Sequence, residues 1–213
     1  MSCKFYLVRH GQSLGNLTNT FLGHTDLDLS DLGYSQAKSV CQYLSDRQID
    51  VIYSSDLLRA YNTAKPLSRL LNKEINKSYN LREIYAGEWE GKTFDCLTQQ
   101  YATTYSVWRN NIGEAKIDGG ESVQQLYDRI TTEIKKIAKM NDGKTVAIFT
   151  HATPIRVLRC FCEGFDATMM KDIKWCPNSS VSEMIYDNDE FKMIVYGYDD
   201  FLGDMRSQLP SNV

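Results

Sequence analysis

The sequence predicts an α/β fold: a three-layer α/β/α sandwich around a mostly parallel central sheet, with an antiparallel hairpin at the C-terminal end. Short β-prone runs alternate with amphipathic helical segments through most of the chain. One of these runs, KTVAIFT, is continuously apolar, as a strand covered on both faces would be. The last two β-prone segments, SSVSEMIYD and EFKMIVYGY, flank the polar stretch Asp187 to Glu190 as hairpin arms do.

The first strand is read over Lys4 to Val8, in FYLVRHG. In SDLGYSQAKSVCQYL, Ser30 caps a helix whose Ala37, Val40, Cys41 and Leu44 recur at helical spacing. The second strand spans Val51 to Ser54. A second helix follows from about Asp56 to Leu71, with Leu57, Ala60, Tyr61, Ala64, Leu67 and Leu71 on one face. Pro66 is expected to kink or interrupt it, because proline lacks the amide donor and crowds the preceding turn. Tyr85 to Gly120 is loop-rich, with short helical pieces such as Phe94 to Tyr101, and reads as an insertion or lid. After GGES, Val123, Leu126, Tyr127, Ile130, Ile134 and Ile137 mark a long helix whose stripe is core packing. Lys144 to Thr150 is the third strand. No repeat, low-complexity segment or Pro/Gly-rich linker divides the chain, so residues 1–213 read as a single domain.

Composition narrows the function. With 42% hydrophobic residues in 213, the chain can bury a substantial core. A net charge of -3 supplies no basic stripe for nucleic acid. The first residues form no apolar signal core, and no apolar run approaches the roughly 18 residues that cross a bilayer, so a cytoplasmic protein with no membrane partner is expected. The six cysteines, Cys3, Cys41, Cys96, Cys160, Cys162 and Cys176, are scattered and read as free thiols. Cys160 and Cys162 point in different directions on a helix and have no partner pair, so no metal site is expected. A homodimer is left open.

In open α/β sheets, ligands bind outside the carboxyl ends of the strands. Arg9 and His10 follow the first strand, Ser54 and Ser55 end the second, and His151 follows the third. A lone histidine there is usually a solvated turn residue, but two in equivalent positions point to a shared site. Gly11 would let the chain turn and bring backbone N–H groups close to a ligand. Arg59, in the first turns of the second helix, can lean over the same crevice, and with Arg9 it offers two forks for phosphate oxygens. Such a pocket suits a dianion. A neutral imidazole in it can attack phosphorus without a metal or cofactor, and a carboxylic acid must then protonate the leaving alkoxide. Glu83, Glu88 and Glu90 in LREIYAGEWEG are the candidates for that acid. Trp89, beside them, is read as core rather than as a shield for the acid.

The order RHGQS, GHTDLDLSDLGYSQA, SDLLRAYNTA, LREIYAGEWEG, GGES, THATPIR resembles the histidine phosphatase superfamily, which includes the cofactor-dependent phosphoglycerate mutases. The resemblance covers Phe5 to Arg156, with NSSVSEMIYD similar to the family's closing strands. It implies a phosphoglycerate mutase-like fold, with His10 as the phosphorylated nucleophile and Arg9, Arg59 and His151 forming the phosphate pocket. It further implies that Glu83 is the proton donor and acceptor and that Asn16 adds a phosphate contact. The loop Leu22 to Thr25, with Leu22, Gly23 and His24 as the candidate contacts, borders the substrate in this family, and residues around Gln12, His24 and the Tyr85 to Gly120 segment are expected to set selectivity. Gln12, Gly15 and IYAGEWEG depart from the mutase pattern and favour the phosphatase branch. The reading is a metal-independent phosphomonoesterase for a small phosphorylated metabolite: a sugar phosphate, a phosphoglycerate or a nucleoside-like phosphate. The alternatives are a cofactor-dependent phosphoglycerate mutase and a non-catalytic protein that binds a phosphorylated ligand.

Overall fold

The computed structural model describes residues 2–207, so Met1 and residues 208–213 of the expected domain lie outside the described residues. A six-stranded sheet forms the middle layer. Its strands are β1 (Cys3–Arg9), β2 (Val51–Ser55), β3 (Ile75–Ser78), β4 (Thr145–Thr150), β5 (Val181–Asp187) and β6 (Glu190–Tyr198), in the order β3-β2-β4-β1-β5-β6. The first four strands run parallel, and β5 joins β1 antiparallel before turning back into β6. Alternate residues of β1 enter two cores. Phe5 and Leu7 pack with Leu126, Ile130 and Ile134 of helix α6 (Val123–Met140), and Tyr6 and Val8 pack with Val40 and Leu44 of α2 (Asp31–Leu44) and Leu67 of α3 (Leu58–Leu71). Each such fully buried aliphatic side chain contributes about 1.5–3 kcal/mol.

Local signals set several boundaries. Ser30 caps α2 by accepting the Gly33 N–H, and Ser122 forms a capping box with Gln125 at the start of α6. Helix α3 starts at Leu58 rather than Asp56, and it ends where Asn72 takes a left-handed conformation. Pro66 does not interrupt it: the helix runs through to Leu71. Only one amide donor is lost there, and buried Ala60, Thr63 and Ala64 before it and Leu67 after it anchor both halves. The edge strand β3, INKS, escapes a sequence reading because it is short and polar. Residues 85–120 include two helices, α4 (Phe94–Gln100) and α5 (Ala102–Asn110). Among the described residues no helix is long and apolar enough to cross a membrane.

Candidate active site

Parallel pairing of β1 with β4 places Arg9 opposite Thr150, so His10 and His151 leave the sheet side by side. The His10 N–H still donates to the Thr150 carbonyl, at 2.9 Å. Its ring Nδ1 lies 2.7 Å from the Gly11 carbonyl. A carbonyl only accepts, so Nδ1 carries the proton and Nε2 keeps its lone pair. Burial, reinforced by the charges of Arg59 and Arg9, holds the His10 pKa well below the ordinary value. A neutral ring with an open Nε2 is the form a nucleophile needs.

Gly11 serves a different purpose from the one expected. Its N–H is taken by Thr63 Oγ1 at 3.0 Å. A Cβ there would stand 2.7 Å from the Gly33 carbonyl oxygen, so the missing side chain permits close packing on the start of α2. Thr63 also donates to the Arg59 carbonyl at 2.7 Å, which ties the nucleophile loop to α3.

His151 precedes helix α7 (Ala152–Cys162) and is fully buried. Its Nε2 lies 2.9 Å from Ser55 Oγ, and its Nδ1 is buried without a partner. Burial and the Arg59 charge lower its pKa well below the ordinary value. Two buried guanidiniums complete the group. Arg9 donates through Nη1 to the Cys176 carbonyl, while its Nε has no partner. Arg59 donates to the Thr25 carbonyl at 2.9 Å and the Gly23 carbonyl at 2.7 Å, and burial pushes its pKa down to about 10. Neither is in an ion pair among the described residues. Two buried cations held outside any direct ion pair, beside two neutral imidazoles, make a seat for an anion.

Asn16 and Glu83 line the same cavity, whose volume is about 100 Å³. Asn16 Oδ1 accepts from Ser13 N–H and Oγ, both at 3.0 Å, and from Asn178 Nδ2 at 3.1 Å, which leaves the Asn16 amide hydrogens as donors. The Glu83 carboxylate accepts from Ile84 N–H at 2.8 Å and Thr153 N–H at 3.2 Å. Of the three acid candidates only Glu83 lines the cavity. Glu88 is exposed, and Glu90 is consumed by the neighbouring loop, accepting from His24 N–H at 2.6 Å, Thr25 N–H at 2.7 Å and Ala86 N–H at 3.0 Å.

Leu22 and Gly23 line the cavity, whereas Gln12, His24 and His151 do not, His151 being fully buried behind His10. Gln12 Oε1 accepts from Ser30 Oγ at 2.8 Å, which turns the side chain toward the start of α2. His24 Nε2 donates to the Glu83 carbonyl at 2.9 Å, and its ring packs against Tyr79 and Tyr85. It supports the Glu83 backbone instead of facing the cavity. The sequence reading missed Phe21, Phe94, Tyr105, Trp108 and Trp175, which form an aromatic wall. The first four are scattered along segments without strand periodicity, so only the fold brings them together. Trp89 is core, edge to face with Phe21, Tyr105 and Trp108 at 5.6, 5.6 and 6.0 Å. All six cysteines are free.

Residues 5–199 match the family described as histidine phosphatase superfamily (branch 1). The chain belongs to that superfamily. This histidine phosphatase is 33% identical over 179 residues to phosphoserine phosphatase 1 of Hydrogenobacter thermophilus, a match covering 84% of each chain. It is 32% identical over 195 residues to phosphoglycerate mutase-like protein 4 of Arabidopsis thaliana, covering 90% of this chain and 83% of that one. Among solved structures, YhfR of Bacillus stearothermophilus superimposes with a TM-score of 0.90 at 24% identity, covering 94% of this chain and 99% of that one. The phosphoglycerate mutase-like architecture is thereby shared, and the chain is a phosphohydrolase of the histidine phosphatase family.

Proposed function

We propose that this enzyme is a metal-independent phosphomonoesterase working through a phosphohistidine. His10 Nε2 attacks phosphorus, and the P–O bond to the alcohol breaks as Glu83, in its acid form, gives the leaving oxygen a proton. Water then attacks the phosphorus of the phosphohistidine while the Glu83 carboxylate takes its proton, releasing inorganic phosphate and restoring His10. Arg9, Arg59 and Asn16 hold the equatorial oxygens, and the two guanidiniums stabilise the charge spread over them in the transition state. His151, beside His10, completes the phosphate pocket. The observation that carries this reading is the neutral His10 ring, with Nε2 open, beside two buried guanidiniums that form no ion pair among the described residues. The deciding experiment measures phosphate release from 4-nitrophenyl phosphate by wild type and His10→Ala. Equal rates would remove the assignment.

The wall favours one of the substrate classes. Phe21, Phe94, Tyr105, Trp108 and Trp175 offer flat apolar surface, which suits a nucleoside-like or other planar alcohol better than a polyhydroxylated sugar. Glu83 is the only carboxylate on the lining among the described residues, so the ammonium group of a phosphoserine would have only the acid itself to pair with. Residues 85–120, which supply Phe94, Tyr105 and Trp108, act as the cover of the site. The mutase alternative is favoured by the Arabidopsis relative's name, and isomer exchange of a phosphoglycerate without phosphate release would establish it. A cytoplasmic location accords with the six free thiols.

A further inference from the structure

A second chamber of about 230 Å³ adjoins the catalytic cavity. Trp108 and Trp175, with ring centroids 6.2 Å apart, line both. Its buried end is Arg156 on α7, only 3% exposed. One Arg156 nitrogen donates to the Met170 carbonyl at 2.6 Å, the guanidinium carbon lies 4.1 Å from the Trp175 ring centre, and Nε is buried without a partner. No carboxylate pairs with it among the described residues. Elsewhere Arg82, Arg129 and Arg159 each meet one. Burial pushes the Arg156 pKa down to about 10, so the group is still a cation at neutral pH. Burying a cation with no counter-charge is unfavourable unless something supplies the anion.

Stacking on Trp175 would explain Arg156 alone, but it does not explain the company around it. Arg109, Lys171 and Lys174 are exposed on the same lining, none of them in an ion pair among the described residues, against the single carboxylate of Asp172. Four cations to one anion around one hollow is a recognition surface for oxyanions, with the guanidinium fork buried and the ammonium groups at the mouth.

We infer that this chamber is a second oxyanion site, distinct from the catalytic cavity, in which Arg156 seats a phosphate- or carboxylate-class group and Lys171 and Lys174 close its mouth. The group arrives from one of two sources. It is either a free anion, such as released inorganic phosphate, or a second acidic group on the substrate that reaches past the shared tryptophans. The site does not depend on the assignment of His10, because binding is measured without turnover.

The experiment has two arms. Equilibrium dialysis with radiolabelled inorganic phosphate counts sites on the wild type, with and without one equivalent of orthovanadate, which the His10 nucleophile captures as a covalent adduct in the catalytic cavity and which leaves the second chamber open. A vanadate-resistant phosphate whose affinity falls at least tenfold in Lys171→Gln/Lys174→Gln establishes a free-anion site. The second arm compares KM for butane-1,4-diyl bisphosphate with KM for butyl phosphate. If the bisphosphate's advantage shrinks at least fivefold in the same double variant, the second group of the substrate occupies the chamber. The lysines are exposed, so the variant should fold as the wild type does, and unchanged circular dichroism confirms it. A single vanadate-sensitive phosphate together with an unaltered KM ratio would overturn the inference, even if His10→Ala abolishes turnover.

Discussion

The imidazoles of His10 and His151 meet edge to face, their ring centroids 5.1 Å apart. That contact follows from the Arg9–Thr150 pairing one residue earlier, so the separation of the two rings is set by sheet register and not by loop conformation. A one-residue slip of β1 against β4 would reverse every side chain between the two cores and destroy the site at the same time.

His10 is the proposed nucleophile. His10→Ala should lower kcat by on the order of 10³-fold or more, the scale seen when a covalent nucleophile is deleted. Phosphate or vanadate should still bind, since Arg9 and Arg59 remain. Steady-state assays paired with a binding titration check both halves.

Arg59→Lys keeps a positive charge but not the fork that holds the Gly23 and Thr25 carbonyls. Loss of one transition-state donor of this kind costs on the order of 10²-fold in kcat/KM. An activity within twofold of wild type would show that Arg59 serves the loop alone.

Acid should destabilise the fold in a predictable window. His10 and His151 are held neutral, with pKa values depressed well below the ordinary 6.5, so the unfolded chain binds protons that the native state refuses. Their contribution is complete above about pH 6.5 and is lost as pH falls below it, at up to about 1.4 kcal/mol per pH unit for each ring. Urea titrations at pH 7.5, 6.0 and 5.0 read the slope, and His151→Gln should make it shallower. A slope unaffected by that substitution would assign the acid sensitivity elsewhere.

Trp108→Ala removes one panel of the aromatic wall. The ratio of kcat/KM for 2-phenylethyl phosphate to that for ethyl phosphate, two alkyl esters with similar leaving groups, should fall roughly tenfold, the value of about 1.4 kcal/mol of apolar contact. Phosphoserine should be a poor substrate for the wild type. If it outperforms 2-phenylethyl phosphate, the planar-alcohol reading is wrong.

Gly11→Ala forces a methyl group to within 2.7 Å of the Gly33 carbonyl oxygen. Backbone has to move, and a loss of about 1–3 kcal/mol in urea unfolding is expected. Activity should fall too, because the displaced carbonyl of Gly11 is what holds the His10 proton on Nδ1.

The charged end of the site was legible in the sequence because strands punctuate it. Arg9, His10 and His151 follow β-prone runs directly, and Arg59 lies one helical turn beyond another, so topology alone brings them together. The sheet's center was legible for the same reason, while β3 was not, since INKS has no apolar alternation and Ile75 is its one β-branched residue. Side-chain orientation was the hidden variable at Gln12 and His24. Each sits near the crevice, but Ser30 and the Glu83 carbonyl offer them better hydrogen-bond partners than the cavity does. The aromatic wall was illegible because it is assembled from four separate stretches, and nothing in THATPIR signals that the Arg156 charge is buried and outside any ion pair among the described residues.

Glu90 draws the backbone of His24 and Thr25 together with that of Ala86, three residues beyond Glu83. One carboxylate therefore rivets the loop that Arg59 grips to the peptide just beyond Glu83, while Phe94, Tyr105 and Trp108 of the aromatic wall come from α4 and α5. Substitutions on those two helices can therefore reshape the wall without touching the carboxylate that fastens the charged end of the cavity.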